Sequence, residues 1–271
     1  MNRLQTRLGI LGAGSLAASL LTGMLVAAPF GGAATLQDGK PAEAAAKSEV
    51  HQITGTVTFD GEIPEVKPLA IPTNAAESCC PPGKSVDAED KSLLISKDGG
   101  IENVVVTVKV EGVEVKIPDQ PYVLDQKGCR FLPHVLVVPK GAKVSFLNSD
   151  ETTHNVHLIA LANEASNKTV TAGKSTEETF KEAEPVKVTC DMHTWMNAWV
   201  YVADATHWTL TDADGNFSFD GLPPGEHEVT FWHETLKSQT QKVMVGEDGK
   251  VAAPMDVKFA PKKTKTARRR R

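Results

Sequence analysis

Val138-Pro139-Lys140-Gly141-Ala142-Lys143-Val144-Ser145-Phe146-Leu147-Asn148 reads as strand, turn, strand. Val135–Val138 and Lys143–Leu147 are short β-branched and apolar runs, and Pro139-Lys140-Gly141 between them has turn chemistry. The same unit recurs along the chain. Gln52–Phe59, Val104–Val110, Val186–Thr189, Trp199–Val202, Asn216–Phe219, Glu228–Trp232 and Gln241–Val245 are further short runs with strand character. Asp60-Gly61, Asp98-Gly99-Gly100, Asp214-Gly215 and Pro223-Pro224-Gly225 punctuate them. No long apolar period of 3.6 residues follows the N-terminal region, so the chain is expected to be all-β, a sandwich or barrel. Residues 60–98, rich in Pro and charge, read as an irregular excursion, and residues 160–178 as a polar connector with a short helical turn.

With 271 residues, 41% of them hydrophobic, the chain can build one large or two modest domains. Its N-terminus stands apart. Arg3 and Arg7 precede an apolar run from Leu8 to Ala28 and the small residues Gly31 to Ala34. That order reads as a secretory signal over residues 1–34, with an uncleaved membrane anchor as the alternative. Residues 35–48 then form a mobile polar leader, and the expected location is periplasmic or extracellular. Without Arg3, Arg7 and the seven basic side chains of Lys262–Arg271, the formal net charge of −5 falls to −14. Such an acidic body argues against nucleic acid as a partner. The basic end, residues 260–271, reads as a disordered tail, the alternative being a contact with an anionic surface.

Cys190-Asp191-Met192-His193-Thr194-Trp195-Met196 puts a thiol, an imidazole and a thioether on one short loop, and His154 lies upstream in Thr153-His154-Asn155-Val156. Two imidazoles, a thiolate and a weak axial thioether are the donors of a blue-copper electron-transfer site. Thiolate and thioether suit Cu(I), imidazole suits both oxidation states, and strands would hold the ligands still. His157 competes for the upstream role, but in an extended segment it falls on the opposite face from His154. His134 reads as a structural imidazole, its closeness to Cys129 leaving a second metal site open. Met192 reads as loop packing. Trp195 and Trp199 read either as a cover over the site or as an apolar docking face around His193.

On these residues the chain resembles a cupredoxin of the plastocyanin and amicyanin type. Val138–Asn148 is similar to the strand, Gly turn and strand that lead to that family's first ligand, and His154-Asn155-Val156 to its His-Asn-Val step. Phe180 through Cys190 resembles the strand that delivers the cysteine, and the C-x-x-H-x-x-M loop is most similar to amicyanin. The resemblance covers residues 130–203. It implies a Greek-key sandwich and one type 1 copper, with His154, Cys190 and His193 as equatorial ligands and Met196 as the axial one. It also implies that Asn155 steadies the thiolate loop through a hydrogen bond.

Thr211-Asp212-Ala213-Asp214-Gly215-Asn216-Phe217 and Gly221-Leu222-Pro223-Pro224-Gly225-Glu226-His227 resemble carboxypeptidase regulatory-like (transthyretin-like) β-sandwich modules, as does Thr54–Gly61. The flanks, residues 49–129 and 204–259, are therefore expected to add a second sandwich-like module. Their N- and C-terminal strands could pair around an inserted copper domain. The Asp212/Asp214 run lacks the spacing and distal Glu of a calcium loop and reads as a tight hairpin turn.

Cys79, Cys80, Cys129 and Cys190 allow two schemes. Cys129 pairs with Cys79 or Cys80, or it pairs with Cys190 and abolishes the copper site. The leading functional reading is an exported, non-enzymatic electron carrier that meets redox partner proteins near His193. The alternatives are a copper storage, delivery or sensing module and a metal-free extracellular binding sandwich.

Overall fold

A computed structural model describes residues 52–74, 79 and 85–261. The expected signal and leader, Cys80, and the basic tail beyond residue 261 lie outside the described residues. The strands run in chain order: β1 Gln52–Phe59, β2 Val105–Val108, β3 Tyr122–Gln126, β4 Phe131–Leu132, β5 Val135–Pro139, β6 Lys143–Asn148, β7 His154–Ile159 and β8 Ser166–Val170. They continue with β9 Ser175–Thr179, β10 Pro185–Thr189, β11 Asn197–Ala203, β12 His207–Leu210, β13 Asn216–Asp220, β14 Gly225–His233, β15 Lys237–Val245 and β16 Met255–Phe259. The fold is all-β.

The strands form two sandwiches. The first stacks sheet β13-β1-β16 on sheet β12-β2-β14-β15. Ile53, Val57, Val106, Phe217, Phe231 and Val257 are among the residues of its core. Strand β1 runs antiparallel to β13 and parallel to β16, so the two ends of the described chain close one sheet. Gly55 makes this possible, because a Cβ there would sit 2.5 Å from the Phe217 ring and 2.6 Å from the Met255 carbonyl. The second sandwich, β3 to β11, is inserted in the chain between β2 and β12. It stacks β5-β11-β10-β7-β8 on β4-β3-β6-β9 around Leu124, Phe146, Phe180, Val188 and Val200. The turn from β5 to β6 needs Gly141, whose φ is +91°.

A third apolar seam joins the sandwiches. Val135 and Val137 of β5 and Ala203 of β11 pack with Val105 of β2 and Trp232 of β14. The Trp232 ring lies 5.4 Å from Trp199 and 5.1 Å from Tyr201. Strands β2 and β11 are thus covered on both faces. This explains why Val104-Val105-Val106 and Trp199-Val200-Tyr201-Val202 are apolar without strict alternation. The His134 imidazole pairs with Glu234 across the seam, and Trp199 Nε1 donates to the same carboxylate at 2.8 Å.

Several expectations change. Residues 160–178 hold no helical turn. Their strands β8 and β9 lie at the edges of their sheets, where polar and charged side chains meet water and leave little apolar pattern. The second sandwich begins at β3 rather than at residue 130, because Tyr122–Gln126 pairs in parallel with Val144–Asn148. The Asp212 turn is tight, its Oδ1 accepting from Asp214 N at 3.0 Å and Asn216 N at 2.8 Å. It is not a hairpin, however, since it carries the chain from β12 in one sheet to β13 in the other.

Candidate metal centre

The site is built where three loops meet at one end of the second sandwich. His154 opens β7 and is fully buried. Cys190 follows the last residue of β10, and Thr189 pairs with Asn197 at the start of β11. Residues 190–196 therefore have to turn the chain back within one loop. Two main-chain bonds close it, Cys190 N to Met196 O at 3.2 Å and Met196 N to His193 O at 2.8 Å.

The loop brings the donors together. His154 Nδ1 lies 2.9 Å from His193 Nδ1, and Cys190 Sγ lies 3.7 Å from the same His193 atom. One ligand atom each from His154, Cys190 and His193 fits within 4.8 Å. Met196 is fully buried on the same loop. The Cys190 thiol is free, because the disulfide joins Cys79 to Cys129. Two ring nitrogens facing at 2.9 Å are bridged either by a hydrogen on one of them or by a metal ion. With a sulfur beside them, the set fits copper.

The surroundings fix each donor. Asp150 Oδ2 accepts from His154 Nε2 at 2.9 Å, leaving Nδ1 as the lone-pair side of the ring. A carboxylate behind a ligand imidazole sets its tautomer and raises its basicity. The same carboxylate accepts from Gly128 N at 2.5 Å and Cys129 N at 2.8 Å. Asn148 holds this loop, its Nδ2 donating to Thr152 O and Val170 O and its Oδ1 accepting from Asp150 N. Asn155 Oδ1 accepts from Asp191 N at 2.8 Å, Met192 N at 3.4 Å and the Cys190 thiol at 3.3 Å. Trp195 stands edge-on to His193 at 5.2 Å, and its indole donates to Cys129 O at 3.1 Å.

These contacts set the proton balance. Burial works against a charged His154, but Asp150 and the Cys190 sulfur outweigh it and raise the imidazole to about 9. Burial pushes the Cys190 thiol up, yet His154, Asn155 and His193 hold it below its usual value. Burial and the charge on His154 lower His193.

Residues 121–203 match the family model of copper binding proteins of the plastocyanin/azurin family, and residues 194–259 that of the carboxypeptidase regulatory-like domain. No curated protein matches the chain. Among solved structures it is similar to the Cu-containing nitrite reductase from Thermus scotoductus SA-01, with 24% identity, 36% of this chain and 25% of that one covered, and a TM-score of 0.31. The chain thus spans about a quarter of that reductase. A Cu(I) form of an amicyanin mutant is 24% identical, covering 36% of this chain and 98% of amicyanin with a TM-score of 0.30. A purple cupredoxin from Nitrosopumilus maritimus is 22% identical over 30% of this chain and 99% of its own, with a TM-score of 0.28.

Within the plastocyanin/azurin-type domain, His154, Cys190, His193, Met196 and Asn155 share one end. His157 does not join them. It is partly exposed, and its Nδ1 lies 2.9 Å from Asp191 Oδ1. Trp199 does not cover the site, since it lies in the seam, while Trp195 does. Met192 is half exposed rather than packed. Sequence reasoning missed Asp150, Asn148 and the Cys129 backbone. Asp150 left one signal, its position four residues before His154.

Proposed function

We propose that the chain is an exported blue-copper electron carrier with His154, Cys190 and His193 as equatorial ligands and Met196 as the axial donor. The observation that carries this reading is the convergence of His154, at the start of β7, with Cys190 and His193 of the 190–196 loop, one ligand atom from each lying within 4.8 Å of the others. Bound copper would supply a one-electron couple between Cu(I) and Cu(II). The chain's own residues do the rest. Asp150 fixes the His154 tautomer, Asn155 ties two loop amides and the Cys190 sulfur to β7, and Trp195 packs over His193. Ligands tied to a sandwich from both sides move little when the charge changes, which favours a carrier. Four protein donors also leave no open position for substrate, which is why we read the chain as a carrier rather than an enzyme.

His193 is partly exposed beside the half-exposed Met192, and we propose this edge as the meeting point for a redox partner protein. The Cys79–Cys129 disulfide suits a periplasmic or extracellular location. Visible absorption and EPR of the Cu(II)-loaded chain, beside Cys190→Ser, test the proposal. An intense thiolate-to-copper band with narrow hyperfine splitting, absent from the variant, is expected. A weakly coloured spectrum that is the same in both chains would remove Cys190 from the metal and defeat the reading.

A further inference from the structure

A cleft of about 530 Å³ opens between the sandwiches, and none of the proposed copper ligands lines it. The segment Arg130–His134 around β4 contributes to it from the second sandwich, Glu102 and the Asp214 turn from the first. Small-molecule sites have volumes of about 300–1,000 Å³.

Arg130 sets this cleft apart. It is only 7% exposed. Among the described residues its guanidinium makes a single hydrogen bond, Nη1 to Asp87 O at 3.0 Å, and no ion pair. Asp125 Oδ1 and Gln126 Oε1 are the side-chain atoms sealed from water without a partner among those residues. The remaining Arg130 donors are therefore not sealed, and the opening that Arg130 lines is the cleft. A buried charge needs a partner, and a carboxylate matches the two parallel N–H donors of a guanidinium.

The rest of the lining disfavours a simple anion. Four carboxylates, Asp87, Glu89, Glu102 and Asp214, stand against two fixed cations, Lys91 and Arg130. Lys91 is already paired with Asp87 and Glu89. The Glu102 and Asp214 carboxylates have no hydrogen bond or ion pair among the described residues. Their loops are locked together, since a Cβ on Gly100 would sit 2.0 Å from the Asp214 carbonyl oxygen. These acids do not converge as metal ligands do. Every converging donor group among the described residues includes His154 or His193. The free carboxylates therefore suit an ammonium group, and Leu94, Ile95 and Phe131 offer apolar surface to the carbon chain joining the two charges.

We propose that this cleft binds a small aminocarboxylate, its carboxylate on Arg130 and its ammonium toward Glu102 and Asp214. The inference uses no copper ligand, so it stands or falls apart from the blue-site reading.

Isothermal titration of the whole chain tests it, with metal removed because copper itself chelates such ligands. Glycine, β-alanine and L-lysine are the probes, and propionate and propylamine carry one charge each as controls. At least one probe is expected to bind, and more tightly than either control. Arg130→Gln is expected to weaken that binding about 10–100-fold, the range for a hydrogen bond to a charged group. Glu102→Gln should weaken it in the same direction. Near-UV circular dichroism of the Trp199–Trp232 pair reports whether each variant is folded. Should Arg130→Gln lose that signal, Arg130→Lys takes its place; it keeps the charge without the fork and is also expected to weaken binding. Three outcomes would each overturn the proposal: no binding by any probe, a control that binds as tightly as the best probe, or full affinity in a folded Arg130 or Glu102 variant.

Discussion

The two sandwiches are built by one rule and filled differently. In the regulatory-like sandwich the core between the sheets is apolar, and its buried polar residues, such as Thr211 and His233, each make two hydrogen bonds to one neighbouring segment. The plastocyanin/azurin-type sandwich buries Gln126, Asn148, Asp150, His154 and Asn155 at one end. Buried polar groups are tolerable only when partnered. Here most are, through one connected network that ends on the proposed ligands. Gln126 Oε1 and Asp125 Oδ1 are the exceptions, buried without a partner. One sandwich keeps its polar groups for local contacts, and the other gathers part of its polar interior around the proposed ligands.

The largest expected effect separates the two outright. Cys190→Ser should abolish the blue band and leave thermal unfolding of the chain nearly unchanged, as seen by absorption and calorimetry. Loss of the fold instead would make Cys190 a core residue first. Next, Phe231→Ala empties the regulatory-like core and should cost about 3–5 kcal/mol, read from denaturant unfolding. Because Trp232 and Val105 seal the seam, the blue band and the tryptophan signal should disappear in one transition. Two separate transitions would show that the seam does not couple the sandwiches.

A pH effect tests the same side. Burial lowers His233 to about 4, well under its unfolded value. Its neutral form accepts from Thr235 Oγ1 at 3.0 Å. The unfolded chain therefore binds this proton first. Stability should be full above about pH 6.5 and fall as pH drops toward about 4, by roughly 3 kcal/mol in total. His233→Gln should flatten that limb of the stability profile, and an unchanged limb would assign it to other groups. The smallest effect is in the plastocyanin/azurin-type sandwich. Asp150→Ala removes the partner of His154 Nε2 and should weaken copper binding about 10–100-fold in a chelator titration. A chain that binds as tightly as before would show that His154 needs no carboxylate.

The disulfide links the comparison to stability. It spans a sequence separation of 50, and closing a loop of that length contributes about 4 kcal/mol in a chain-entropy estimate. It does so in the sandwich whose interior is the more polar.

Much of the architecture was legible. Lys143–Asn148 after Gly141 and the Val186–Thr189 run stood out because burial alternates along them, so the period of two is plain. Strands β8 and β9 were missed because, as edge strands, they are polar except for Val170, and β3 because Asp125 and Gln126 interrupt its pattern. The donor set was readable because Cys190, His193 and Met196 are close in sequence. Asp150, Asn148 and the Cys129 backbone were not, because their role depends on hydrogen bonds between loops. Cys129 lies 25 residues from His154 in the chain, yet its amide shares a carboxylate with that imidazole.

By itself the sequence determined that this chain is all-β, that it carries two kinds of sandwich segment, and that the donors of the proposed copper site stand in order along it. Local alternation, turn chemistry and short spacing encode those facts, and they survive without knowledge of the partners. Only the tertiary structure decided that β1 lies between β13 and β16, that Trp199 belongs to the seam, and that Cys79 pairs with Cys129 and leaves Cys190 free. Each of these depends on which distant surfaces are buried together. No local pattern carries that information, because the hydrophobic effect and hydrogen-bond satisfaction are settled only when the sheets close.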